Sequence, residues 1–426
     1  MIKIYKKSIK KLKRSYWKLK DQYGSRRAVM MGISFGLYKV FLMPLILLMK
    51  KTINKSKENR FIFETKPDFA DNGRALHEYM IEKGYNNKYR IYWLVEEPKN
   101  FKRYYAKNVK FVRSIGKYHH SRTVRAYYYS LTSKYVLFTH AFRWIEKKTS
   151  NQVYVNLWHG CGYKASRRTE GNENVFDYCL VPGEVFIDTK SEFFDCPREK
   201  VIPIGYPRYD LYKRNNTNVD RYFAELGGNG RKNILWMPTF RQSKDLIYYD
   251  NPVPSIIGLQ LINSILDMDK LEQMCKEADV NLIIKRHRIG SPIKNNGNES
   301  SNIFYLDNDD LDKMDVQLYE FISKSDALIT DYSSVAIDYI LLDKPMGFTL
   351  DDMKDYHKTR GFAFDDPLEY MPGEHMFNLE DLRKFLLDVA GGKDIHKEKR
   401  NNIIHKTHNP TESYSKRVLD FLNTTI

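Results

Sequence analysis

From Arg60 onward the chain alternates short apolar runs with segments of helical period. Arg60–Glu64, Tyr89–Val95, Val109–Val112, Tyr135–Thr139, Tyr154–Trp158, Phe176–Val181 and Lys200–Ile204 are rich in aromatic and β-branched residues and read as strands. Asn72–Lys83, His120–Ser130 and Arg221–Leu226 carry helix spacing between them. After the turn-rich Gly227–Gly230, strands are predicted at Asn233–Met237, Asn281–Lys285, Ala327–Thr330 and Met346–Leu350. Helices are predicted at Asp269–Glu277, Gln317–Ser323 and Val335–Leu342. This rhythm predicts an α/β protein with helix-covered parallel sheets.

The pattern before Arg60 is different. Met1–Arg27 interleaves Lys and Arg with Ile4, Tyr5, Ile9, Leu12, Tyr16, Trp17 and Leu19, which predicts a basic amphipathic N-terminal helical segment. Val29–Met49 runs 21 residues with Lys39 as its one charge. A helix of that length reaches about 30 Å, enough to span a bilayer. Gly32, Gly36, Lys39 and Pro44 interrupt it, and Arg26-Arg27 and Lys50-Lys51 flank both ends. Basic pairs on both sides give no direction of crossing. An element lying in the cytosolic leaflet is therefore expected, ahead of a spanning helix or a core helix. Charge sharpens the contrast: residues 1–60 hold 17 Lys and Arg against two acids, while the other 366 carry 53 basic against 51 acidic groups. The near-neutral body argues against nucleic acid as a partner, and the N-terminus points to an anionic membrane surface. The four cysteines are dispersed without a CxxC pair, as in a reducing cytosol, and no secretory signal is read.

In an open parallel sheet, ligands sit beyond the carboxyl ends of the strands. Four motifs fall there. His159-Gly160 follows the strand from Tyr154, and a neutral imidazole suits a general base. Pro238-Thr239-Phe240-Arg241 places a guanidinium fit for phosphate. Lys285-Arg286-His287-Arg288 gathers three cations and an imidazole. Asp331-Tyr332-Ser333-Ser334 opens a helix whose unpaired amides suit an anion. Gly205–Asp210, with Arg208 and Asp210, and Arg360-Gly361-Phe362 are weaker motifs. The plainer readings are a structural histidine, surface ion pairs, a solvated charge run and an ordinary helix cap. No Walker loop, GxGxxG after a strand, HExxH or GxSxG occurs, which removes the enzyme classes they mark.

Taken in order, these motifs resemble the CDP-glycerol glycerophosphotransferase family, the teichoic-acid primases and polymerases of Gram-positive bacteria. The resemblance spans roughly Phe61 to Leu422. It rests on Asp71–Leu76 and Tyr92–Val95, Leu157-Trp158-His159-Gly160 with Lys164, Gly205–Asp210, Pro238–Arg241, Leu328–Pro345 and Arg360–Phe362. The departures are Cys161 where the family has Thr, Gly162-Tyr163 for Pro-Leu, Arg288 for Pro, and Pro410-Thr411-Glu412 for Asp-Gly.

The resemblance implies two Rossmann-like domains in a glycosyltransferase-B-like fold. With the N-terminal segment the expected division is residues 1–57, membrane-associating; 58–228, the acceptor side; and 229–426, the CDP-donor side. The implied activity is transfer of a polyol phosphate, glycerol phosphate first, from CDP-glycerol to a hydroxyl of a lipid-linked glycan in teichoic acid or a related wall or capsule polymer, releasing CMP. CDP-ribitol as donor, and a nucleotide-sugar glycosyltransferase of the same fold, are the alternatives; a non-catalytic polyanion-binding scaffold is the rival of another class. His159 and His287 would be catalytic. Ser333, Ser334, Arg241, Arg286, Arg288 and Arg360 would hold the donor phosphates, supported by Asp331, Asp210, Arg208 and Gly160. No cofactor or metal is called for. The expected location is the cytoplasmic face of the membrane, peripherally bound, with homo-oligomerisation left open.

Overall fold

The computed structural model describes residues 29–30, 33–34, 36–115, 123–140, 148–165, 175–226, 230–239, 259–285 and 301–425. Its strands are β1 (Lys57–Glu64), β2 (Arg90–Val95), β3 (Val109–Arg113), β4 (Ser133–Phe138), β5 (Val153–Asn156), β6 (Tyr178–Leu180), β7 (Val201–Ile202), β8 (Lys232–Trp236), β9 (Val280–Lys285), β10 (Ile303–Leu306), β11 (Ala327–Thr330), β12 (Met346–Thr349) and β13 (Glu374–Met376). The α-helices are α1 (Met43–Thr52), α2 (Asp71–Glu82), α3 (Val124–Thr132), α4 (Ile187–Phe194), α5 (Thr217–Glu225), α6 (Ile265–Ala278), α7 (Asn308–Met314), α8 (Leu318–Lys324), α9 (Ser334–Tyr339), α10 (Met353–Thr359), α11 (Leu379–Ala390), α12 (Lys397–Thr407) and α13 (Tyr414–Thr425).

One sheet has the order β3-β2-β1-β4-β5-β6-β7 and the other β10-β9-β8-β11-β12-β13. Pairing is parallel from β1 to β5, in β6–β7 and across the whole second sheet. Each sheet starts at an inner strand, winds one way, then resumes on the other side. The reversal falls between β1 and β4 in the first and between β8 and β11 in the second. This is the doubly wound arrangement, whose ligands bind at that switch point. Contacts group the chain into two compact units, Met1–Gly73 with Met80–Asn156 and Val175–Asp177, and Arg74–Tyr79 with Leu157–Asn174 and Tyr178–Ile426.

The core of the first unit is aromatic. Phe61 stacks on Tyr135 with ring centroids 4.3 Å apart, and Phe63 on Trp93 at 4.8 Å. In the second unit β8, β9 and β11 are buried on both faces, and Trp236, Leu282 and Ile329 pack with Leu271, Phe385 and Leu386 from α6 and α11. Continuous burial explains why these strands read as apolar runs instead of alternating ones.

The elements read from sequence are present, with shifted ends. The strand expected to reach Trp158 stops at Asn156, because Trp158 has φ 51 and turns the chain left-handed. The helix expected from Arg221 starts at Thr217, capped by Asn216 Oδ1 accepting from the Asn218 amide at 3.1 Å. Val335–Leu342 divides into α9 and a 3-10 turn at Ile340–Leu342, ended by Asp343 at φ 47. The basic segment before Val29 lies outside the described residues. No helix among the described residues is long and apolar enough to cross a membrane. Instead a π-helical turn at Tyr38–Leu42 leads into α1, with Pro44 in its first turn.

Burial sets an acid response in the second unit. It pushes His408 down to about 3 and His77 down to about 4. Unfolded histidine takes up its proton near 6.5, so below that pH the unfolded chain binds more protons and stability falls with acidification. In the first unit burial raises Asp68 to about 6, which has the opposite sign: its contribution is full below 3.8 and is lost as pH rises through 6. Hydrogen exchange between pH 7.5 and 5 is therefore expected to accelerate on the second unit's core relative to the first, and a His408→Asn variant to flatten that slope. Equal slopes in both units would contradict this.

Candidate active site

At the switch point of the second sheet, the ends of β8 and β11 are tied together. The Thr330 hydroxyl donates to the Met237 carbonyl at 2.7 Å. The fully buried Asp331 carboxylate accepts the Thr239 amide at 3.1 Å and the Thr239 hydroxyl at 2.5 Å. Asp331 thus holds the Pro238-Thr239 strand end, and Phe240 and Arg241 beyond it lie outside the described residues. Ser333, in extended backbone before α9, makes no side-chain cap bond. Ser333 and Ser334 are half-buried at this helix start, while Tyr332 is fully buried and its hydroxyl donates to Asp352 at 3.0 Å.

The loop carrying His159 lies against that helix start. Trp158 is buried against Phe194, and the His159 ring sits 4.0 Å from the Trp158 ring. Gly160 has φ 140, and a Cβ there would stand 2.6 Å from the Ser334 hydroxyl oxygen; at Gly162 it would stand 2.9 Å from the Ser334 Cα and amide nitrogen. Only glycine lets these two backbones meet. On its far side the loop pairs with the Arg360-Gly361-Phe362 block. Lys164 and Phe362 form an antiparallel bridge, the Ala165 amide donates to the Gly361 carbonyl at 3.0 Å, and the Ala363 amide to the Tyr163 carbonyl at 2.8 Å. Arg360 is half-buried at the end of α10.

Arg208 joins the Gly205–Asp210 motif to the same place. Its guanidinium donates to the His159 carbonyl at 3.0 Å and to the Asp338 carboxylate of α9 at 2.7 Å. Asp210 caps the C-terminal helix: its carboxylate accepts the amides of Tyr414 and Ser415 at 2.7 and 2.8 Å and the Ser413 hydroxyl at 3.1 Å. At the end of β9, burial lowers Lys285 to about 8, and its amine donates to Asn308 at 2.8 Å. Arg286, His287 and Arg288 follow directly and lie outside the described residues. A cavity of about 860 Å³ opens beyond β12, lined by Asp351, Asp352, Asp355, Asp365 and Asp366 among others, with Phe362 at its wall. Five carboxylates against Lys354 and Lys358 disfavour a diphosphate in this cavity.

A profile of the CDP-glycerol:poly(glycerophosphate) glycerophosphotransferase family matches residues 46–423. The chain belongs to this family. A teichoic acid poly(glycerol phosphate) polymerase of Staphylococcus epidermidis is 27% identical over 348 residues, covering 74% of this chain and 44% of that protein. The chain therefore spans less than half of that polymerase. A teichoic acid ribitol-phosphate primase of Bacillus spizizenii is 26% identical, covering 66% of this chain and 72% of that one. Among solved structures, the wall teichoic acid polymerase TagF superposes with a TM-score of 0.70 at 22% identity, covering 100% of this chain and 98% of that one. A UDP-GlcNAc 2-epimerase from Neisseria meningitidis aligns at a TM-score of 0.51 and 13% identity, covering 87% and 100%. Both likenesses concern the fold.

Within this member of the family, His159, Gly160, Ser334, Arg208 and the Arg360–Phe362 block come together in one compact unit. Asp331 and Asp210 serve neighbouring loops and helices. Sequence patterning passes over Asp338, reading α9 as one face of an apolar helix. The signal was a lone acid inside Val335–Tyr339, a position that burial makes costly unless the charge is paired.

Proposed function

We propose that the protein transfers a polyol phosphate, glycerol phosphate first, from a CDP-linked donor to a hydroxyl of a lipid-linked glycan, releasing CMP. The observation that carries this reading is the seating of the His159 loop on the Ser333-Ser334 helix start. A base for the acceptor hydroxyl and an anion site for the donor then share one unit. In this reading His159 deprotonates the acceptor, and the Ser333 and Ser334 hydroxyls and α9 amides hold the diphosphate. Arg360, Arg241, Arg286 and Arg288 add positive charge, and His287 supports the leaving phosphate. Phosphoryl transfer needs positioning and charge neutralisation more than covalent catalysis.

Relatives named for glycerol phosphate and for ribitol phosphate match almost equally well, which favours keeping ribitol as a second reading. The test is CMP release from purified protein with CDP-glycerol, CDP-ribitol and a lipid-linked acceptor preparation. CMP from CDP-glycerol supports the first reading and CMP from CDP-ribitol alone the second. UDP released from a UDP-sugar, with no CMP from either donor, would replace both with a glycosyltransferase.

We infer that the N-terminal region meets the cytosolic leaflet. Ile46 is buried and Lys50 lies over the Tyr127 ring of α3 at 5.6 Å, which seats α1 on the first unit. Leu37, Val40, Phe41, Leu45, Leu47 and Leu48 are exposed, and Lys50 and Lys51 close the helix. An apolar row beside cations fits an anionic lipid surface. Replacing Leu37, Phe41 and Leu48 together by serine is expected to cut binding to phosphatidylglycerol vesicles by at least ~10-fold without lowering the melting temperature. Unchanged flotation with such vesicles would refute the assignment.

A further inference from the structure

We propose that Asp338, acting through Arg208, is a positioning residue that sets His159 against the start of α9. The inference rests on the reading of His159 as the base.

Asp338 is fully buried, and both of its carboxylate oxygens are engaged. One accepts Arg208 at 2.7 Å and the Tyr319 hydroxyl at 2.5 Å; the other accepts the Tyr209 hydroxyl at 2.5 Å. Arg208 is itself only 2% exposed and lies over the rings of Tyr206 and Tyr319, at 4.8 and 4.6 Å. Its second nitrogen donates to the His159 carbonyl. A buried ion pair is weak evidence for stability, because desolvation offsets most of the attraction. What a guanidinium adds is geometry: a rigid fork that can hold one carboxylate and one carbonyl at a fixed separation.

The residue it holds needs holding. Trp158 at φ 51 and Gly160 at φ 140 flank His159, so left-handed backbone stands on both sides of the imidazole. Such backbone persists when its surroundings over-determine it. Here α9 grips the loop at two points one helical turn apart. Ser334 lies against Gly160 and Gly162, and Asp338, four residues on, reaches the His159 carbonyl through Arg208. The element whose start would hold the donor phosphates therefore also fixes the direction of the base. A shift of about 1 Å in such an arrangement costs on the order of 100-fold in rate.

The test is a double-mutant cycle on CMP release, using the full chain with the CDP-polyol it turns over and a CDP titration beside it. Asp338→Asn is expected to lower kcat by ~10- to 100-fold while the Kd for CDP moves by less than about threefold. In a His159→Ala background the same change is expected to have almost no further effect, since a residue that acts by aiming the imidazole has nothing left to aim. Tyr319→Phe keeps both charges and removes one hydroxyl, so it tests the same relay with the fold intact. It should give the same kcat-only loss, smaller, and again silent without His159. A rate loss that multiplies in the His159→Ala background, or a loss of CDP affinity of similar size, overturns the inference and leaves His159 as the base. Full turnover by His159→Ala alone overturns the reading of His159, and the inference with it.

Discussion

His159→Ala is expected to lose ~10²–10⁴-fold in CMP release while binding CDP within about threefold of the parent protein. The separation follows from which atoms of His159 do what. Its carbonyl, not its ring, accepts the Arg208 guanidinium, so alanine keeps the bond that fixes the loop. Gly160 and Gly162 still lie on Ser334, and the helix start keeps its hydroxyls. What disappears is a half-buried imidazole at the end of the β5 loop. Loss of a group that acts only in the transition state lowers kcat and kcat/KM together. The measurement is steady-state CMP formation with an equilibrium CDP titration on the same sample. A raised Kd with unchanged kcat would make His159 a donor contact, not a base. His159→Gln, which keeps a hydrogen-bonding side chain of similar reach, should be as slow as alanine, because an amide does not take a proton near neutral pH.

Much of this arrangement was legible in the residue pattern, for a physical reason. Strands buried on both faces are uninterrupted apolar runs, so Ala327–Thr330 is read to the residue and its neighbours to within a few. Ligand chemistry in such a sheet collects at strand ends, so motifs placed there were worth weighing before any geometry was known. The resemblance then fixed their order. What could not be read was which motifs touch. Arg208 looks like a turn residue in Gly205–Asp210, and its bond to a backbone carbonyl carries no sequence signal. Asp338 looks like an intrusion in an apolar helix until Tyr209 and Tyr319, distant in sequence, are seen to meet it. Short strands also escaped. β13 has three residues and β10 has half-exposed Phe304 and Tyr305 at its centre, so neither makes a clear run. Asp210, expected in a supporting role, places its carboxylate on the first amides of α13, a contact that no sequence spacing shows.

The Arg208–Asp338 pair also makes a stability prediction that separates the need for a folded unit from the need for an aimed histidine. Arg208→Met leaves the Asp338 carboxylate buried with two tyrosine hydroxyls and no cation, and is expected to cost about 3–5 kcal/mol. For a unit of this size that corresponds to a melting temperature roughly 6–20 °C lower. Asp338→Leu alone should cost a similar amount, because it strands a guanidinium that is 2% exposed. Combining both with Tyr209→Phe and Tyr319→Phe removes the carboxylate together with the guanidinium and the two hydroxyls bonded to it, and apolar groups of similar volume then fill the site. That quadruple variant is expected to melt above either single one, since replacing a buried ion pair with packed hydrophobics is often neutral or stabilising. Thermal melts of the three proteins decide it. Additive losses would mean the pair is a structural keystone in its own right. Recovery would mean that folding tolerates the loss of the pair, and that the charge is kept for the one bond a hydrophobic replacement cannot make, the one to the His159 carbonyl.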